Sequence, residues 1–515
     1  MNELRAKIGF RRYVYFLCAL GSFQSSSYAS ATQDVEIIRN SAEYGSATAQ
    51  NTLGAKYEKG DGLTPDASLA VFWYHKAADQ GLAVAQYNLA TMYANGRGTA
   101  ADITQAVTWY RRAAEQGLVT AQDTLGFMYG EGVGVSQDAN QAASWFLKAA
   151  DLGDSYAQDS LGTFYVTGKG LPRDDKRAVY WFRRAAEQNN VSAQKHLGFC
   201  YDSGTGVGQD RQQSAAWFRK AAEQNDAKAE NELGVRYING YGVERNYEQA
   251  VVWFRKSAEQ GYAAAQYNLA IRYAYGDAVS QDFDQAIYWL RKAAAQGNAG
   301  AERALGVAYD EGRGVSRDAQ QAALWYRKAA DGGDAIAQNN LGVAYFEGRG
   351  VAQDYKMGIF WFHEAAEQGD AEGQYNLGVR YSAGEGVAQD NQQAVYWIRK
   401  SAEQGYMYAQ FNLGVHYARG QGVDQDDQQA FFWYRRAAEQ GDALAQSVIG
   451  VRYLEGLGTA KDDSQAYAWL SVAAKNGDTK SEDYRTQAAK RLSGTALVAA
   501  QKLAKLYCAK YPLQP

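Results

Sequence analysis

The sequence predicts an all-α solenoid of twelve helix-turn-helix repeats, each 36 residues long. Three observations predict it. The twelve tryptophans are Trp73, Trp109, Trp145, Trp181, Trp217, Trp253, Trp289, Trp325, Trp361, Trp397, Trp433 and Trp469, each 36 residues from the next, and the chain has no other. Tyrosine keeps the same step from Tyr57 to Tyr453, glycine from Gly60 to Gly456 and alanine from Ala78 to Ala474. With 53 glycines and only 4 prolines in 515 residues, the composition suits short helices joined by glycine turns better than a globular enzyme.

Residues 1–31 read as a secretory signal peptide. Arg5, Lys7, Arg11 and Arg12 make a basic start, Tyr13 to Phe23 a short apolar run, and Ala29-Ser30-Ala31 a small-x-small cleavage pattern. The run is too short to span a bilayer, and no later stretch approaches that length. Residues 32–46 are expected to form a partial N-terminal helix, 47–477 the repeats and 478–515 C-terminal capping helices. The formal charge of −4 becomes more negative once the basic leader is gone, which excludes a nucleic-acid surface. Cys18 leaves with the leader, and Cys200 and Cys508 are too far apart along a solenoid to bridge.

Each repeat reads as two amphipathic helices of about 13 residues. Helix A is typified by Ala265-Gln266-Tyr267-Asn268-Leu269-Ala270-Ile271-Arg272-Tyr273 and ends at a glycine such as Gly312, usually with a second at Gly314. Helix B is entered through Asp-x-x-Gln (Asp138/Gln141, Asp210/Gln213, Asp390/Gln393), a capping-box pattern in which the glutamine should reach back. It closes on Arg-Lys or Arg-Arg, expected to complement the helix dipole. The next helix A starts on an N-cap such as Asp334, Asp370 or Asp442. Three departures stand out: Pro65 and Leu69 in repeat one, Ala278 for the second turn glycine in repeat seven, and Met357-Gly358 for Gln-Ala in repeat nine, expected to weaken that helix start.

The pattern Ala-x-Ala-Gln-x-x-Leu-Gly-x-x-Tyr followed by Gly-x-Gly-Val-x-x-Asp-x-x-Gln-Ala-x-x-Trp-Tyr-Arg-Lys-Ala-Ala-Glu-Gln-Gly resembles the Sel-one-like repeat (SLR) family, a relative of the tetratricopeptide repeats. The resemblance covers roughly residues 47–477. It implies a right-handed α/α superhelix with a concave groove lined by helix A, and roles in protein–protein interaction.

The slots that vary between repeats are where a partner should dock. Before the helix A leucine stand Asn88, Asn268, Asn340, Asn376 and Asn412. Four residues on, and so on a shared face, stand Arg236, Arg272, Arg380, His416 and Arg452. In related tetratricopeptide folds the equivalent asparagine lines the groove. These side chains, with Tyr267, Tyr375 and Phe411 as aromatic anchors, are the expected lining for a protein or peptide partner. Repeats two to five carry Met92, Met128, Phe164 and Cys200 in the second slot, so the groove is expected to turn from apolar to basic. The alternative is that the asparagines bridge adjacent repeats and the arginines pair with nearby acids.

Little points to chemistry, and no catalytic residue, metal site or cofactor is assigned. His75, His196, His363 and His416 lie in different repeats and cannot converge on a metal. Ser192-Ala193-Gln194-Lys195 matches Ser-x-x-Lys, but Ser-Asp-Asn and Lys-Thr-Gly partners are missing. The favoured reading is an exported bacterial interaction scaffold, found in the periplasm, at the cell surface or secreted, with no membrane anchor after signal cleavage. Behind it stand a virulence-type protein that captures a host protein such as an immunoglobulin and, last, a β-lactam-binding enzyme.

Overall fold

The structure is a computed structural model that describes residues 27–512, with side chains described from Asp34. The described chain is all-helical, 27 helices with no strand, as a solenoid of twelve repeats requires. The signal peptide expected over 1–31 lies mostly outside the described residues. The helix Ser27–Glu43 begins within it and runs past the expected cleavage point after Ala31. The chain divides into two compact units, residues 1–253 and 254–515.

In both units the hairpin is built the same way. Helix A of repeat ten spans Ala371–Ala383 and helix B Asn391–Glu403. The Asp390 carboxylate accepts the N–H groups of Gln392 and Gln393 at 2.9 and 3.0 Å. Its own N–H donates to the Tyr381 carbonyl at 2.9 Å. The reciprocal glutamine half of the expected capping box is therefore replaced, because helix A already supplies the acceptor. This backbone bond recurs from Asp66–Tyr57 to Asp462–Tyr453 and pins helix B to helix A. The tyrosine hydroxyl does a second job. Arg399, on helix B of one repeat, donates to the Tyr417 hydroxyl of the next at 2.9 Å, as Arg219 does to Tyr237 and Arg291 to Tyr309. These arginines, read above as dipole partners, are inter-repeat bridges.

The turn glycines are set by close approach. Gly350 and Gly422 hold φ of 71° and 77°. A Cβ on either would fall about 2 Å from the carbonyl oxygen of Ala319 or Asn391, at the start of the preceding helix B. In repeat seven Ala278 takes φ of 58° without glycine's freedom. The other departure has a different cause. A Cβ on Gly358 would lie 2.2 Å from the Phe346 ring, which stacks on Phe362 with centroids 5.4 Å apart. Gly358 is thus the room made for Phe346, and Asp354 still caps the helix through Lys356 and Met357. The expected weak start is not seen.

Between repeats the core is tryptophan, alanine and one polar residue. Trp361, Trp397 and Trp433 are buried, and Ala365, Ala366, Ala437 and Ala438 are closed to solvent, which lets the helices approach closely. Each tryptophan withdraws roughly 200 Å² from water, about 5 kcal/mol gross. The polar residue is a buried glutamine on helix A. Gln374 Nε2 donates to the Ala366 carbonyl at 3.1 Å, and its Oε1 accepts from Gln404 Nε2 at 2.8 Å. Gln338 and Gln410 do the same in unit two, and Gln86, Gln158 and Gln194 in unit one. At the C-terminus, Trp469 is covered by Tyr507 and Tyr511 of the helix Gly494–Lys510 and its end, with centroids 4.9 and 5.0 Å away.

Two substitutions test this frame. Ala278→Gly relieves a left-handed alanine and should stabilise the chain by about 1 kcal/mol in urea unfolding. Glu302 stands in the glutamine slot, with Gly332 where the bridging amide would be, and burial pushes its carboxyl above the ordinary value against the pull of Lys328. An acid raised on folding weakens the fold as pH rises through the shifted range, so the penalty is full at neutral pH and absent below the ordinary carboxylate range. Glu302→Gln should therefore raise the melting temperature at pH 7.5 and leave it nearly unchanged at about pH 3.

Candidate interaction face

Helix A carries both predicted slots, and the structure separates them. The asparagine slot sits at the half-buried rim: Asn268, Asn340, Asn376 and Asn412 are all partly exposed. The slot four residues on is turned a further 40° or so about the axis, since four residues overshoot one turn of 3.6. That rotation carries it into the packing. Arg236, His416 and Arg452 are 3%, 4% and 7% exposed, and Met92, Met128 and Cys200 in the same slot are buried as well. The expected apolar-to-basic change along a groove is therefore a change inside the frame.

Each basic head in that slot has an internal partner. Arg236 bonds Glu232 and the Ser214 hydroxyl, both at 3.1 Å, and lies 4.0 Å from the Phe218 ring centre. Arg272 pairs with Asp277 at 2.6 Å. Arg380 pairs with Glu385 and lies 4.6 Å over Phe346. Arg452 pairs with Asp427 at 3.0 Å and covers Tyr434. His416 Nδ1 meets the Gln421 carbonyl at 2.8 Å, and burial lowers its pKa. These five were expected to line the groove. In the structure each is paired within the chain, with Arg236, His416 and Arg452 buried and Arg272 and Arg380 partly exposed.

One signal in the sequence could have shown this. The residue after the first turn glycine is acidic only at Asp61, Asp277 and Glu385, each five residues after a basic slot residue: Lys56, Arg272 and Arg380. It is arginine only at Arg97, Arg313 and Arg349, where the slot holds Met92, Ala308 or Ala344. Those arginines pair elsewhere, Arg97 with Glu58 at 2.8 Å and Arg349 with Glu347 and Asp310.

The asparagines work partly as rungs. Asn376 donates to Asn339 at 2.8 Å and Asn412 to the Tyr375 hydroxyl at 3.0 Å, each across 37 residues, as Asn88 does to Asn51 in unit one. Asn340 instead lines a cavity of about 160 Å³ with Asp310, Tyr326, Val343, Arg349 and Glu372. Of the predicted aromatics, Phe411 packs on Tyr434 at 5.3 Å, and Tyr267 is half-buried near Gly300. Tyr375 joins Tyr406 and Tyr408 in a cluster the sequence reading did not single out, with centroids 5.2, 5.6 and 6.4 Å apart. Glu372 and Asp370 stand beside it. Burial first, then the neighbouring Asp370, pushes the Glu372 carboxyl above its ordinary value, and burial likewise raises Asp370.

Helix B presents a second row. Tyr288, Leu324, Phe360, Tyr396 and Phe432 hold one slot in successive repeats, each about half exposed. Tyr288, Phe360, Tyr396 and Phe432 stand edge-on to the next tryptophan in sequence at 4.9–5.0 Å. Lys292 lies 4.6 Å over Tyr288, Lys400 4.6 Å over Tyr396 and Arg436 5.4 Å over Phe432. This row shields the tryptophans, and three of its rings are themselves capped by cations.

The residues examined for chemistry are also engaged. Lys195 of Ser-x-x-Lys pairs with Asp226 at 2.6 Å. His196 meets Asp159 at 2.7 Å, His75 meets Asp79 at 2.8 Å and His363 lies 3.8 Å from Glu367. Cys200 is a buried free thiol pushed up to about 11 by burial and the charge of Asp175, and Cys508 is also unbridged. Among the described residues no three of His, Cys, Asp and Glu gather as a metal set.

If the slot arginines are struts, the combined substitution Arg272→Ala, Arg380→Ala and Arg452→Ala should destabilise the chain by on the order of 3 kcal/mol. Urea unfolding measures it. An unchanged midpoint would return these side chains to the candidate lining.

A family model for the Sel1 repeat matches twelve consecutive segments, from 47–82 and 83–118 through to 408–442 and 443–478. No curated protein matches the chain. Among solved structures, a protective antigen present in uropathogenic Escherichia coli strains, displaying an SLR fold, is 38% identical with a TM-score of 0.68, over 93% of this chain and 95% of that one. A Sel1 repeat protein from Oxalobacter formigenes is 35% identical with a TM-score of 0.48, over 59% of this chain and 87% of that one. With every tryptophan-bearing hairpin inside a matched segment, the chain belongs to the Sel1 repeat family.

Proposed function

We propose that this chain is an exported adaptor that holds a protein or peptide partner on the helix A face of its repeats. Sel1 repeat proteins are generally protein-interaction scaffolds and typically non-catalytic. The observation that carries the reading here is the cavity beside Asn340, bounded by Asp310, Arg349 and Glu372, at a place where the helix A residues differ from repeat to repeat. Repeated slots build the frame, so side chains that vary and stay accessible are free to select a partner. Asn340 is the predicted site residue best placed for this, since it lines open space.

Export rests on residues 1–31, whose basic start, apolar run and Ala29-Ser30-Ala31 follow the order of a cleaved leader. No described helix is long and apolar enough to cross a membrane. A second reading, capture of a host protein by a virulence factor, is favoured by one finding. The E. coli protein that is 38% identical over nearly the whole length is a protective antigen.

The chain from Thr32, immobilised, is tested against bacterial envelope extract and host secretions beside an Asn340→Arg variant that fills the cavity. Saturable capture by the parent, lost in the variant at equal melting temperature, is the expected result, and the source of the captured protein separates the two readings. Equal capture by both chains would remove the helix A assignment. The exported protein should have the mass of a chain beginning at Thr32, and a mass that retains the leader would remove export.

A further inference from the structure

On helix B of unit two the exposed Tyr288, Tyr396 and Phe432 each lie under a lysine or arginine of the chain, while the equally exposed Phe360 does not. The helix A cluster of Tyr375, Tyr406 and Tyr408 brings three rings together without one. Tyr408 is 51% exposed, and among the described residues no lysine or arginine lies over any of the three rings or pairs with Glu372 or Asp370. The charged groups close by are committed elsewhere. Arg380 holds Glu385 and the Phe346 ring, Arg303 holds Asp334 at 3.1 Å, and Arg349 holds Glu347 and Asp310. Three aromatic rings and an exposed carboxylate are thus assembled with no cation.

The cluster is held in place by its neighbours. Asn412 donates to the Tyr375 hydroxyl, which fixes that ring, and Asn339 bonds Glu372. Glu372 and Tyr408 occupy the same slot in adjacent repeats, and Glu372 is the one acid among the twelve residues of that slot. Tyr406 stands where Asp334, Asp370 and Asp442 cap their helices, and it makes no side-chain capping bond. Leu82, Leu118 and Tyr262 hold the same slot without a side-chain capping bond.

We propose that Tyr375, Tyr406, Tyr408 and Glu372 form a clasp for the guanidinium or ammonium head of an arginine or lysine side chain presented by a polypeptide partner. Ring faces attract a cation through their quadrupoles, and the carboxylate supplies the counter-charge in a site partly shielded from water. Guanidinium fits both demands best, since it stacks flat on a ring while its edge bonds a carboxylate. The assignment rests on the scaffold reading and names what one of its sites grips.

The test uses the chain from Thr32 and three short acetylated glycine-serine peptides bearing a central arginine, lysine or citrulline, the last a neutral isostere of arginine. Saturation-transfer NMR reads contact with the central side chain, and titration reads affinity. The expected result is binding of the arginine and lysine peptides roughly tenfold tighter than the citrulline peptide, lost on Tyr408→Ala and on Glu372→Gln at unchanged melting temperature. Tyr408 is exposed, so its truncation leaves the core intact. Equal binding of all three peptides, or cation binding that survives both substitutions, overturns the clasp. Peptide results and partner capture are read separately. Capture without peptide selectivity removes the clasp and leaves the scaffold, whereas peptide selectivity without capture does the reverse.

Discussion

The structure hangs on a buried amide. One glutamine near the start of most A helices reaches back to the last turn of the preceding helix B and forward to the end of the following one, as Gln374 does to Ala366 and Gln404. Three helices are thus registered by one side chain, in a place where an unpaired amide is costly. The residues that meet there are separated by 8 and 30 positions, so any insertion in either helix or turn breaks a pair. The unbroken period of 36 follows from that geometry. The exceptions obey the same logic. Gln122 has Leu152 where the bridging amide should stand, and its Oε1 finds no partner.

Much of the fold was legible because it rests on local chemistry. Caps, turn glycines and the apolar stripes of both helices are decided within a few residues, and all are visible in one copy of the repeat. The candidate site was less legible because it depends on angle. Asn412 and His416 share a face by the usual rule of four, yet the 40° or so between them divides a rim position from a buried one. The acid five residues after Arg380, Glu385, was the readable sign that Arg380 belongs to the frame, and it becomes a sign only when all twelve turns are compared. Gly358 shows the opposite error. It looked like a flaw in a helix start, but its reason lies in Phe346, on the neighbouring helix A.

The frame is unusually polar for one whose gross stability comes from tryptophan and alanine. Glutamine bridges, arginine–tyrosine bridges and the aspartate caps all join backbone or side chain across helices, and they leave the exposed rim of helix A with few duties. That rim is where repeats differ. Helix B, in contrast, uses its exposed surface for stability, since its outer rings cover the tryptophans and its lysines and arginines cover the rings.

This division of labour decides where a partner's energy can come from. A ring already beneath its own cation gains little from a second, because the first occupies the favoured face and repels the newcomer. A ring beside a carboxylate gains the full interaction and relieves the repulsion between Glu372 and Asp370 as well. The two aromatic surfaces are therefore unequal despite similar exposure. The helix B row is larger and more regular, but it is finished. The cluster at Tyr375, Tyr406 and Tyr408 is small and irregular, stands beside a carboxylate, and lacks the cation that lies over Tyr288, Tyr396 and Phe432.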